Sequence, residues 1–125
     1  MLGETNAVAN LAVRDLARAK AFYEHTLGLR EVDHMGEQVS VLKSGDTVIN
    51  VYRSDYAGTN KATAVTWKVG DKIDSLVSEL KSKGVNFEHY DLPETAHQGD
   101  IHVFGDIKVA WFKDPDGNIL NLVNR

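Results

Sequence analysis

The chain repeats itself. Val13-Arg14-Asp15 opens a helical pattern that closes at Gly28, and 56 positions later Val69-Gly70-Asp71 opens another that closes at Gly84. Each is preceded by a short apolar stretch, Val8 to Val13 in one case and Ala64 to Val69 in the other, and each is followed by strand-like segments. A repeated strand–helix–strand–strand–strand unit restricts the fold to two similar modules packed together, with chemistry expected in a cleft of their sheets. The predicted class is α+β: two βαβββ modules related by a pseudo-two-fold, forming a cupped mixed sheet with helices on its outer face.

Within the first module, residues 6–13 read as a buried strand. Asp15 is a good helix N-cap, and Leu16, Ala19, Phe22, Tyr23 and Leu27 form an apolar stripe up to Gly28. Residues 29–35, 37–43 and 47–52 read as strands, separated by Gly36 and by Ser44-Gly45-Asp46. Residues 53–61 have no periodicity and form the expected linker. Module one therefore spans about 6–53 and module two about 62–123 of a single domain, 1–125.

In the second module, residues 62–69 read as a strand. Asp71 is the expected cap of a helix whose Ile73, Leu76, Val77 and Leu80 recur at helical spacing. A strand over 85–90 follows, then a loop holding Pro93, His97 and Gly99, and strands over 101–104 and 107–113. The turn Asp114-Pro115-Asp116-Gly117 closes the last hairpin onto 118–123.

At 125 residues the chain has enough length to bury one sizeable core. A net charge of −4, with lysines and arginines scattered, argues against a nucleic-acid or anionic-membrane partner. There is no cysteine, so disulfides, thiolate nucleophiles and cysteine metal sites are excluded. The first residues carry neither a basic segment nor an apolar run, and cytoplasmic residence is the expectation. No phosphate loop, dinucleotide fingerprint, nucleophile elbow or His-Glu-x-x-His is present, and no catalytic group is assigned.

Two stretches carry a resemblance. Asp15-Leu16-Ala17-Arg18-Ala19-Lys20-Ala21-Phe22-Tyr23, ending in Leu27-Gly28-Leu29, resembles the first helix of the vicinal oxygen chelate superfamily, the glyoxalase and bleomycin-resistance fold. Trp111-Phe112-Lys113-Asp114-Pro115-Asp116-Gly117-Asn118-Ile119-Leu120 resembles that superfamily's last hairpin. The resemblance implies a divalent metal in the enzymes of the family, held by His, Glu or Gln from the first and last strand of each module. Here those positions fall on Val8, Asn50, Ala64 and Asn121, two aliphatic residues and two neutral amides. Such side chains are poor ligands, since a catalytic metal needs about three good protein donors.

The five histidines, His25, His34, His89, His97 and His102, show no spacing that pairs two on one face of a single element. His97 and His102 are expected to face opposite ways. Strand alternation instead places Asn10, Asn50, Tyr52, Thr66 and Asn121 on the concave face, with Trp111 as a stacking wall and His102 beside the second module's long insertion.

The expectation is a metal-independent, bleomycin-resistance-like protein that binds a small organic molecule, with no cofactor and, by family resemblance, as a homodimer. Two alternatives stand beside it. One is a glyoxalase- or dioxygenase-like enzyme using non-standard metal ligands; the other is a non-catalytic interaction protein with a vestigial cavity.

Overall fold

A computed structural model describes the whole chain, Met1–Arg125. The chain divides into two compact units, Met1–Thr59 and Asn60–Arg125, and the boundary lies inside the expected linker. No helix is long and apolar enough to cross a membrane.

The first unit runs β1 (Ala9–Val13), α1 (Leu16–Ala21), β2 (Arg30–Met35), β3 (Val39–Ser44) and β4 (Thr47–Arg53), a βαβββ module. Its sheet order is β1-β4-β3-β2, with β1 parallel to β4 and the remaining pairs antiparallel. The Asp15 carboxylate caps α1 by accepting from the Arg18 N–H at 3.2 Å. Sequence periodicity implies one α-helix as far as Gly28, but α geometry stops at Ala21 and a wider π turn covers Phe22–Thr26. The widened turn carries Tyr23 into the core, where its ring meets Phe22 edge-on at 5.2 Å. Leu11, Val13, Leu42, Ile49 and Val51 bury the sheet's helix-side face. Strand alternation requires the opposite face to carry Asn10, Ala12, Asn50 and Tyr52.

The second unit runs β5 (Thr63–Lys68), α2 (Ile73–Ser82), β6 (Phe87–Glu88), β7 (Ala96–Gln98), β8 (Ile101–Phe104), β9 (Ile107–Lys113) and β10 (Ile119–Val123). The sheet order is β5-β10-β9-β8-β7, and β5 lies parallel to β10. Ile73, Val77 and Leu80 bury the inner stripe of α2 as the spacing requires. Asp71 is not its cap. It sits in a 3₁₀ turn, Gly70–Lys72, that precedes the helix, and no side chain caps α2 at Lys72.

The other departure is larger. The expected strand over 85–90 contracts to Phe87–Glu88, and the expected loop contains β7. Both β6 and β8 pair with the same edge of β9: Phe87 and Glu88 oppose Phe112 and Trp111, and His102 to Phe104 oppose Val109 to Ile107. One strand position is thus interrupted, and residues 89–100 form a strap between its two halves.

The last hairpin is held by Asp114. Its buried carboxylate accepts from the backbone N–H groups of Asp116 and Asn118, each at 2.9 Å, and from the Asn118 side-chain amide at 2.8 Å. Gly117, at φ +91°, supplies the left-handed residue the turn needs. Replacing Asp114 with Ala leaves these donors buried and unpaired, and we expect a loss of about 2–3 kcal/mol in urea unfolding. Asp15→Ala removes one exposed cap and should cost about 1 kcal/mol in the same measurement.

Candidate functional site

The residues singled out from the sequence fall into two groups, one in each unit. In the first unit Asn10 pairs in register with Asn50, and Ala12 with Tyr52. Asn50 in turn opposes Val41, and Tyr52 opposes Val39. Residues directly opposite in a ladder share a face, so Asn10, Asn50 and Tyr52 lie together on the side away from the buried core. That side is open: Asn10 and Tyr52 are exposed, and Asn50 is half-buried. The Asn50 amide donates to the Asn10 side-chain oxygen at 3.2 Å, which fixes both amides across the parallel pair.

In the second unit Asn121 stands opposite Thr66 on one side and Trp111 on the other. The Trp111 indole N–H donates to the Thr63 hydroxyl at 3.0 Å, so the ring's one polar atom is satisfied. Asn121 is buried, and its side-chain oxygen has no hydrogen-bond partner. Leaving such an acceptor unpaired costs about 1–3 kcal/mol. Thr66 is exposed and Trp111 half-buried.

His102 stands apart from the others because it has no exposed surface at all. Its Nε2 accepts from the Tyr90 backbone N–H at 2.8 Å, and its ring meets Trp111 at 4.8 Å and nearly at right angles. Burial, then the neighbouring His97 and His89, push its pKa below the ordinary imidazole value. Burial likewise raises the Tyr90 phenol. Nearby, Asp100 is held below the usual carboxylate range by Lys81 at 2.7 Å and by His89 at 2.7 Å.

The expectation that His97 and His102 face opposite ways is wrong. They lie on different strands, β7 and β8, and are direct cross-strand partners with ring centroids 4.6 Å apart. His89 joins them at 5.7 Å from His97 and 6.3 Å from His102. The signal for this hairpin was present: Gly99-Asp100 is a two-residue turn, and Gly99 has φ +62°. Reading 91–100 as one loop after a strand over 85–90 concealed the cluster.

The positions where the fold family implies a metal do not fit one. Val8 and Ala64 have no side-chain donor atoms, and Asn50 and Asn121 each offer only one neutral amide oxygen. The Nε2 atoms of the clustered imidazoles are engaged elsewhere: His89 with Asp100, His97 with the Tyr90 carbonyl, and His102 with the Tyr90 N–H. No three His, Asp or Glu side chains come together in a geometry that could hold a metal ion.

A groove of about 680 Å³ in the first unit is lined by Arg14, Asp15, Lys20, Glu31, His34 and Arg53, among others. None of the candidate binding residues Asn10, Asn50, Tyr52, Thr66, His102, Trp111 and Asn121 lines it. Its charges are largely paired: Lys20 with Glu31 at 2.8 Å, Arg53 with Asp55 at 3.2 Å, and Arg14 with the Ala57 carbonyl at 3.4 Å. Lys20, followed by the hydroxyl of buried Ser40, holds the Glu31 carboxyl below its ordinary range.

Solved structures share this architecture at low sequence identity. A bleomycin resistance determinant encoded on the transposon Tn5 is 22% identical, with a TM-score of 0.71 over 96% of this chain and 97% of that one. The genomically encoded fosfomycin resistance protein FosX of Listeria monocytogenes is 15% identical, with a TM-score of 0.71 over 94% and 90%. Lactoylglutathione lyase of Agrobacterium tumefaciens is 17% identical, with a TM-score of 0.69 over 95% and 92%. These likenesses establish the fold. The family model for the Glyoxalase/Bleomycin resistance protein/Dioxygenase superfamily matches residues 5–122, nearly the whole chain, and the protein belongs to that superfamily.

Proposed function

We propose that the protein binds a small organic molecule without a resident metal, in the manner of a bleomycin-resistance-type member of its superfamily, and acts as a homodimer. The observation that carries this reading is the buried, unpaired side-chain oxygen of Asn121. Folding tolerates an orphaned acceptor at a cost, and a ligand that donates a hydrogen bond there recovers it. Its neighbours in the second unit, the Thr66 hydroxyl and the Trp111 face, suit an uncharged or weakly polar partner, and the first unit by itself presents groups of the same kind in the Asn10–Asn50 amide pair and Tyr52. An apolar surface with a few fixed neutral polar groups is the usual composition of such sites. Support for self-association comes from the first unit, where Val8, Met35 and Tyr52 are 40%, 59% and 36% exposed. Light scattering on purified protein should return twice the chain mass; a monomer would remove that part of the reading.

Two further measurements test the binding itself. Protein purified without an affinity tag should contain no stoichiometric zinc, nickel, manganese or iron; one equivalent of any of them would favour the metal-enzyme alternative. In a thermal-shift screen of aromatic and neutral polar compounds, a ligand at a hundredfold its dissociation constant should add about 2.7 kcal/mol. Asn121→Leu should leave stability unchanged or improve it, since an apolar isostere removes the orphaned acceptor. The double variant Asn50→Leu, Asn121→Leu should abolish the ligand shift. A shift that survives the double change would mean that the two amides are only structural and do not contact the ligand, and an absence of shifts across the screen speaks for the vestigial-cavity alternative.

A further inference from the structure

The strap between β6 and β8 is tied down by imidazoles. Tyr90 lies at its start, and both of its backbone polar groups are taken by histidines of the β7–β8 hairpin. Its N–H donates to His102 Nε2 at 2.8 Å, and its carbonyl accepts from His97 Nε2 at 3.1 Å. The two bonds differ in how they respond to a proton. His97 is a donor in either charge state, provided that its proton is on Nε2. His102 is an acceptor at Nε2, which is possible only for the neutral ring with its hydrogen on Nδ1. A second proton on His102 would set two N–H donors against each other and break the tie.

We infer that His102 is a proton-operated latch: neutral, it holds the 89–100 strap against the sheet, and protonated, it releases it.

Every element packed against His102 bears on its charge. From β7 comes His97, with ring centroids 4.6 Å apart. From the strap come His89, at 6.3 Å, and Tyr90, at 6.0 Å. Trp111 of β9 adds an uncharged wall at 4.8 Å. The remaining charges nearby are paired with one another: Asp100 with Lys81 and His89, and Glu88 of β6 with Lys113 of β9 at 3.1 Å. No carboxylate contacts the His102 ring to stabilise an imidazolium. Its Nδ1 makes no full hydrogen bond, although the Val109 backbone lies close enough to favour a proton there.

The sign follows. A buried imidazole whose folded pKa is depressed contributes stability that is present above its unfolded value near 6.5 and is lost as pH falls through the folded value. Acidification therefore loosens the strap, and with it one edge of Trp111, whose ring also meets Tyr90 at 5.3 Å. The latch works whether or not the neighbouring face binds a ligand.

Nuclear magnetic resonance on the full chain tests this directly. Long-range proton–nitrogen spectra at neutral pH should show His102 as the Nδ1–H tautomer. Hydrogen exchange from about pH 7.5 to about pH 5, corrected for intrinsic rates, should show the Tyr90 amide and the rest of 89–100 losing protection as the His102 ring titrates. His102→Gln keeps an acceptor and cannot titrate, so its strap should stay protected at the lower pH. His97→Gln keeps the donor to Tyr90 and removes a like charge, so the midpoint should move to higher pH. An Nε2–H tautomer, a strap whose protection ignores pH, or a transition unchanged in His102→Gln would each overturn the inference. Should His102→Gln fail to fold, an unmoved midpoint in His97→Gln does the same.

Discussion

In each unit the first strand lies parallel to the last, β1 beside β4 and β5 beside β10. A parallel pair cannot be closed by a tight turn; the chain must leave the sheet, cross one face and return. The helix that makes this crossing covers that face with its apolar stripe. In the first unit the consequence is plain: Leu11, Val13, Ile49 and Val51 are sealed under α1, while Asn10, Asn50 and Tyr52 are left to whatever the other face meets. The division between core and candidate site follows from strand direction before any residue is chosen for chemistry.

What those residues can do is limited by their donors. The superfamily includes lyases and dioxygenases as well as resistance proteins, so membership alone does not determine activity. Here the relevant strands present amides, a hydroxyl, a phenol and an indole, groups that recognise shape and hydrogen-bond polarity rather than stabilise charge. The ionisable groups are engaged elsewhere. Lys20 and Glu31 brace α1 against β2, and Lys81, Asp100 and His89 tie α2 to the strap.

Much of this could be read from the chain itself, because the features concerned are local. The repeat of Val13-Arg14-Asp15 and Val69-Gly70-Asp71, the Asp15 cap and the Asp114-to-Gly117 turn are short-range patterns with one dominant physical meaning each. Alternation puts Asn10 on one face with Asn50, and Thr66 with Asn121, because a strand has only two faces, while the register that sets each pair opposite comes from the sheet. The misreadings involve partners distant in sequence or conformations with little sequence signature. Widening of the helix at Phe22–Thr26 depends on where Tyr23 finds space, and β6 is cut short by competition with β8 for the same edge of β9. The histidine cluster was missed because spacing along one strand says nothing about neighbours across a hairpin.

The shared edge of β9 has a consequence for how such a chain can diversify. Since β6 and β8 each contribute only a few rungs to one ladder, the segment spliced between them can lengthen, shorten or change composition while β9 keeps its pairing with β10 on the other side. Loop closure grows dearer only slowly with length, so this junction is a tolerant address for novelty. The rest of the second unit supplies a constant chassis, and selection is free to redecorate residues 89–100 without renegotiating the core.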